Sequence, residues 1–396
     1  MQNDLERQWN DMNIKETDKK YIMGTYGRYD ISVASGKGSV LYDEDGKQYI
    51  DFGSGIAVNT FGVCDDEWIS AVTNQLGLIQ HASNYYYTKP CSDLAEILCE
   101  RTGMSKVFFS NSGAEANECA IKAARKYGTD KNPDKNVIIT LKNSFHGRTV
   151  TTLSATGQDV FHKNFTPFTE GFVYAEANNV SDLKQMANDN CCAIMMELVQ
   201  GEGGVVPLTR EFVLEAKKIA EEHDMLLIFD EVQTGNGRTG KLFAFENFGI
   251  KPDIFTTAKG LGGGLPIGAT VFSEKVSEIL PAGSHGSTFG GNPVSAAGAI
   301  SIINRIDEKL LETVRENSEY IINELKKTNG VKDISGMGYM LGISTEKDAK
   351  EIALECMRRG LLVLTAKDKV RLLPALNISR AEIDKGLEIL KGVINS

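Results

Sequence analysis

Between about residues 106 and 272, short apolar runs alternate with segments of helical period. That alternation is what a mostly parallel sheet covered by helices requires, and few other folds tolerate it. Strands are expected at 107–109, 137–140, 193–196, 225–229 and 269–272, with a helix at 211–222 between two of them. Past Asn292 the pattern changes to a long helical stretch running to about Lys327. Short strands follow near Val331, Met340, Leu361 and Val370, then a last helix from Arg380, so this part reads as a smaller α+β unit. Near the other end, residues 40–42 and 49–52 flank Asp45-Gly46 as a hairpin that can join the smaller unit. The expected division is 1–50 as an N-terminal segment contributing to the small domain, 51–291 as the large ligand-binding domain and 292–396 as the small domain. A chain of 396 residues, 41% hydrophobic, can bury cores on that scale.

Charge and cysteine usage narrow the function classes. The net charge is −10, with no basic tract, which argues against a nucleic-acid partner held through phosphates. The opening residues MQNDLERQWNDMNIKETDKK lack an apolar signal core and no run approaches the length of a bilayer span, so no membrane partner and a cytoplasmic location are expected. Seven cysteines without a C-x-x-C pair fit reduced thiols, and five scattered histidines offer no metal-ligand spacing, so no metal is expected.

Four segments carry chemistry. In FFSNSGAEANECAIKAARKY a buried strand meets a Ser/Gly turn and a helix beginning near Ala114. The free amides of a helix start suit a phosphate, Ser112 adds a hydroxyl and Gly113 lets the backbone approach. The same turn would equally serve a plain N-capped helix. In MLLIFDEVQTG an apolar strand runs straight into Asp230 at its carboxyl end, where ligands of open α/β sheets sit. A buried carboxylate there needs a cation: a pyridinium nitrogen, a structural ion pair or magnesium. Gln233, three residues on, can reach a ring hydroxyl. In PDIFTTAKGLGGGLPIGA, Lys259 stands between an apolar strand and a glycine cluster, and a desolvated lysine can form a Schiff base. In NSFHGRTV, Phe145 can stack on a planar ring and Arg148 can clamp a carboxylate, whereas His146 reads as structural rather than as a base. Each motif alone has a bland alternative; together they converge on one cofactor, pyridoxal 5'-phosphate.

SNSGAEANE, FHGRT, ELVQGEGG, DEVQTGNGRTG, AKGLGGGLPIGA and HGSTFGGNP together resemble the signature set of the class III, fold-type I aminotransferases. The match covers most of the chain, and FHGRT combined with HGSTFGGNP is most similar to the acetylornithine aminotransferases of arginine biosynthesis. The resemblance implies a fold-type I pyridoxal-phosphate-dependent transferase: a large domain with a mostly parallel central sheet plus a smaller α+β domain. It implies that Lys259 bonds to the cofactor and shuttles a proton, Asp230 holds the pyridinium, Gln233 binds the ring oxygen, Phe145 stacks on the ring, and the amides of Gly113 and Ala114, with Ser112, hold the phosphate. Thr288 resembles a residue that reaches the phosphate from the neighbouring subunit and Ser287 a substrate contact, which implies a homodimer with shared active sites.

Two arginines are implied for two substrates, a small-molecule amino donor and 2-oxoglutarate. Arg371 resembles the clamp for the α-carboxylate of glutamate or 2-oxoglutarate, and Glu197 resembles the switch that pairs with it when acetylornithine is bound. Arg148 would hold the far carboxylate. The bland alternative for Glu197 and Arg371 is a structural ion pair. The sequence departs from the family at Gly62-Val63-Cys64-Asp65-Asp66, where a GHxHP-like turn is common, and at Asn236, where a larger apolar residue is usual. Succinylornithine, ornithine, 4-aminobutyrate and N-succinyl-diaminopimelate are the rival donors. A nucleotide-binding protein fares badly, because no G-x-G-x-x-G follows an early strand and no G-x-x-x-x-G-K-[ST] occurs. A non-catalytic binding protein would leave Lys259 and Asp230 idle.

Overall fold

The computed structural model describes residues 13–396, so the first part of the expected N-terminal segment lies outside the described residues. After a helix at Ile14–Tyr21 come three short strands: β1 (Val33–Lys37), β2 (Val40–Asp43) and β3 (Gln48–Asp51). β2 and β3 pair antiparallel around the Asp45-Gly46 turn, the expected hairpin, and Gly46 takes the positive φ of 79° that such a turn needs.

The large sheet is built from β4 (Lys106–Ser110), β5 (Val137–Leu141), β6 (Phe172–Ala175) and β7 (Cys191–Met196). A minute hairpin, β8 (Val199–Gln200) and β9 (Val206–Pro207), separates these from β10 (Leu226–Asp230), β11 (Ile254–Thr257) and β12 (Gly268–Phe272). Their spatial order is β4-β12-β11-β10-β7-β5-β6, and only β12 runs antiparallel to its neighbours. Every residue of β7 and β10 is buried, as central strands covered on both faces must be, which is why they read as unbroken apolar runs. Alternate side chains feed two cores. Ile138, Ala193, Leu226 and Ile228 pack with Ala120, Ile121 and Ala124 of the helix Gly113–Thr129. Ile139, Ile194, Leu227 and Phe229 face the other way, onto Phe212, Ala216 and Ile219 of the helix Arg210–Glu222.

The smaller sheet holds β13 (Val331–Met337), β14 (Met340–Thr345), β16 (Leu364–Ala366) and β17 (Lys369–Leu372), in the order β13-β14-β17-β16. β15 (Leu361–Leu362) instead joins the N-terminal strands, pairing parallel with β3 so that Leu361 faces Ile50. Ile50 and Phe52 therefore share a core with Ile343, Leu372, Leu387 and Leu390. The helical stretch expected up to Lys327 is two helices, Pro293–Arg305 and Glu308–Lys326, with Asp307 capping the second. Ala296, Ala299, Ile302 and Ile303 of the first pack into the large core, whereas Val314, Ile321 and Leu325 of the second pack into the core that holds Ile50 and Phe52.

Candidate active site

A cavity of about 420 Å3 opens beyond the carboxyl ends of the parallel strands. Asn111 to Ala114 reach it after β4, Phe145 to Arg148 after β5, Glu197 after β7, Asp230 and Gln233 after β10, and Lys259 after β11. An open parallel sheet brings distant segments together at that edge because each strand ends there before its helix begins.

Asp230 is buried, and its Oδ2 accepts from Asn117 Nδ2 and His146 Nδ1, both at 2.8 Å. Because a carboxylate only accepts, Nδ1 of His146 carries the hydrogen. Asn117 also donates to the His146 carbonyl at 2.7 Å and accepts from Thr256 Oγ1 at 2.7 Å, so the carboxylate is held in a fixed frame. Among the described residues no lysine or arginine pairs with Asp230; His146 is its one basic neighbour within ion-pair distance. From the sequence His146 reads as structural, and Asn117 has no expected role. The signal was present: Asn117 lies one helical turn after Gly113 and so shares its face.

Ser112 caps the helix Gly113–Thr129, its Oγ accepting from the Glu115 amide at 3.2 Å, which leaves its own hydrogen to donate. A Cβ on Gly113 would lie 2.7 Å from Val232 Cγ1, so glycine is what lets this helix start sit against the Asp230 loop. Lys259 stands at a positive φ of 44°, and burial lowers the pKa of its amine, with Glu202 and Arg371 pulling it in opposite directions. The Arg148 guanidinium lies 4.1 Å from the Phe161 ring centroid and 5.5 Å from that of Phe145. A buried carboxylate awaiting a cation, uncommitted amides at a helix start, an aromatic wall and a desolvated amine match the ring nitrogen, phosphate, ring face and aldehyde of pyridoxal phosphate. The residues fit that group.

The expected pairing of Glu197 with Arg371 is corrected. Arg371, 3% exposed, donates from Nη1 to Glu202 Oε1 at 2.7 Å and to Gln233 Oε1 at 3.2 Å. Glu197 instead accepts the amides of Phe145 at 2.8 Å and Gly201 at 3.1 Å. Burial pushes the Glu197 carboxyl up to about 7. Burial alone would raise Glu202 as well, but the adjoining Arg371 charge outweighs it and holds Glu202 below its usual value. Both glutamates belong to the ELVQGEGG motif, and nothing in their spacing told which would turn toward the arginine. Arg371 itself lies behind Gln233 rather than on the cavity wall.

Ser287 and Thr288 do not line this cavity. They border a second one of about 770 Å3, together with His81, Asn84, Tyr85 and His285. Ser287 Oγ accepts from Asn111 Nδ2 at 3.1 Å, one residue removed from the first cavity, and Thr288 is exposed.

Comparison with known proteins adds three findings. A family model described as aminotransferase class-III matches residues 23–394. The acetylornithine aminotransferases of Haemophilus ducreyi and Caldanaerobacter subterraneus are each 46% identical over 386 residues, 96% of this chain and 98% of theirs. Among solved structures, the ornithine aminotransferase of Toxoplasma gondii superposes with a TM-score of 0.93 at 28% identity, covering 100% of this chain and 98% of that one. The N-acetylornithine aminotransferase of Stenotrophomonas maltophilia superposes at 0.83 with 34% identity, covering 96% and 97%.

Proposed function

Because the chain belongs to the class-III aminotransferases, we propose that it moves the δ-amino group of N2-acetyl-L-ornithine to 2-oxoglutarate, giving N-acetylglutamate 5-semialdehyde and glutamate, a step of arginine biosynthesis. The observation that carries the choice of substrates is the pair of buried Arg371 and half-buried Glu202 beside Lys259. Glutamate brings an α-carboxylate next to its reacting amine, and Arg371 is the group to receive it once Glu202 swings away. Acetylornithine reacts through a δ-amine with no carboxylate near it, and Glu202 then keeps the arginine neutralised. Arg148, exposed at the cavity mouth, is placed to take the distant carboxylate in either case.

Pyridoxal phosphate supplies, when bound, an aldehyde that takes the amino group covalently and a protonated ring that draws electrons from the carbon losing its proton. Asp230 would hold the ring nitrogen, fixed and aimed by the hydrogens of Asn117 and His146. The amides of Gly113 and Ala114 and the Ser112 hydroxyl would hold the phosphate. Phe145 would face the ring. Gln233 is shared between that duty and Arg371. Lys259 Nζ, favoured in its neutral form by burial, would take the proton from the amino-bearing carbon of the donor and, when 2-oxoglutarate follows, would deliver a proton to the carbon that receives the amino group.

The proposal includes a homodimer. Leu78, Tyr85, Tyr86, Tyr87 and Phe289 are 81%, 94%, 72%, 100% and 58% exposed, more large apolar surface than a lone chain sustains, and Thr288 stands away from its own cavity. A cytoplasmic location goes with seven cysteines that are all free. The T. gondii likeness favours ornithine as the second donor to consider. A panel of acetylornithine, ornithine, succinylornithine, 4-aminobutyrate and N-succinyl-diaminopimelate, each with 2-oxoglutarate, tests the reading. Acetylornithine should give the highest kcat/KM, and a better rate with any other donor would replace it.

A further inference from the structure

Lys259 occupies backbone territory that a lysine avoids. Its φ is +44°. Such a turn persists only where its surroundings hold it, and here two side chains grip the peptide carbonyls on either side. Asn236, 3% exposed, donates from Nδ2 to the Ala258 carbonyl at 3.2 Å and to Thr257 Oγ1 at 2.9 Å. Thr60, 1% exposed, donates from Oγ1 to the Gly260 carbonyl at 2.8 Å. The three parts are in contact: a Cβ on Gly260 would lie 2.8 Å from Thr60 Oγ1 and 3.3 Å from Asn236 Cβ.

The chemistry of Asn236 marks it as more than filling. It sits at φ +56°, which asparagine tolerates better than most residues, and its Oδ1 is buried without a hydrogen-bond partner. A buried amide that satisfies only its donor half is held there for that half. Both gripping residues come from other parts of the chain than the lysine. Asn236 follows β10 in the Asp230 loop, and Thr60 follows β3.

We propose that Asn236 and Thr60 are positioning residues for Lys259, pinning the carbonyls of Ala258 and Gly260 so that the strained turn aims the amine into the cavity. The inference rests on reading Lys259 as the amine that bonds to pyridoxal phosphate. A pinned turn also keeps the amine from swinging out to water, where it would hold its proton more tightly.

The test uses the full-length protein stripped of cofactor and mixed with pyridoxal phosphate over a range of pH. Absorbance follows the reaction, in which the neutral amine nitrogen bonds to the aldehyde carbon and the aldehyde oxygen leaves as water. Borohydride reduction and peptide mapping then locate the bond. Asn236→Gly keeps the backbone unstrained and removes the amide, Asn236→Leu fills the space without a donor, and Thr60→Val keeps the shape and removes the hydroxyl. Each should slow bond formation at Lys259 by about three- to tenfold, the scale of one neutral hydrogen bond. Each should also move the pH of half-maximal rate upward, a shift that mere loss of stability would not produce. Rates within twofold of the parent and an unmoved pH profile in all three variants would overturn the clamp, whatever their Tm. If the unaltered chain is labelled elsewhere than at Lys259, the reading of Lys259 falls and the clamp with it. A label on Lys259 with unchanged kinetics removes the clamp alone.

Discussion

Glu197 and Glu202 stand five residues apart in one motif, yet only Glu202 meets Arg371. Glu202→Ala leaves that buried guanidinium without its carboxylate whenever the substrate brings none. The loss of one charge-assisted hydrogen bond should then lower kcat/KM for acetylornithine by roughly 10-fold to 150-fold. The half-reaction with glutamate, whose own carboxylate fills the place, should be spared. Single-turnover absorbance with each donor separately reads this, and equal damage to both would reduce the pair to a structural contact. Glu197 makes a different prediction, about pH. Its carboxyl is raised from 4.5 to about 7 by burial, so the folded chain binds this proton more tightly than the unfolded chain does. The associated stability is full below pH 4.5 and is lost as pH rises through about 7. Glu197→Gln should remove that share, flattening the fall in unfolding free energy across the window by up to about 1.4 kcal/mol per pH unit. Denaturant titrations at several pH values measure it, with Glu231, also raised to about 7 by burial, still titrating in the variant. An unchanged slope would mean that Glu197 is already ionised at low pH. Asp230 was legible because it ends an unbroken apolar run, Lys259 because a strand and a glycine cluster flank it, and the helix start because a Ser/Gly turn follows a strand. The partner of Arg371 was not, since a side chain's direction after a strand depends on the turn, and the two glutamates differ only in that.

At the scale of elements, the start of the helix Gly113–Thr129 fixes how closely its amides approach the Asp230 loop. Gly113→Ala would set a methyl group against Val232 and push the helix start away from the Asp230 loop. Cofactor should then dissociate about tenfold faster, because amides and helix dipole act on a phosphate only at close range. Dialysis followed by absorbance measures the loss, and retention equal to the parent would show that the loop absorbs the methyl group. The strands that build the cavity were readable for the reason that makes them central: buried on both faces, β7 and β10 have no polar alternation to confuse the pattern. β6, a sheet edge of four residues mostly half-buried, and the helix Ala349–Arg358 gave no comparable signal and were passed over. The break between Pro293–Arg305 and Glu308–Lys326 was invisible for another reason. Apolar spacing runs on through Ile306 while the chain changes direction at Asp307.

For the whole molecule, the proposed dimer makes a prediction that no single chain can. In hybrids of one Lys259→Ala chain and one Thr288→Ala chain, shared sites would put both defects in one site and neither in the other. One competent site should survive, so a purified hybrid should outperform both parent variants. A hybrid no more active than either would refute the sharing. The division into two domains was read from a change of pattern at Asn292, and composition does not reveal that Ala296, Ala299 and Ile302 pack backward into the large core. The pairing of β15 with β3 joins Leu361 to Ile50, and Leu373 donates its amide to the Phe52 carbonyl at 2.7 Å. Seen from the ribosome, this seam sets an order of events. All the residues of the cavity from Asn111 to Ile267 emerge well before β15 exists, while β3 must wait for almost the entire chain to be made. A nascent chain thus carries the residues of that cavity before it has Arg371, and it closes one of its earliest strands with one of its last.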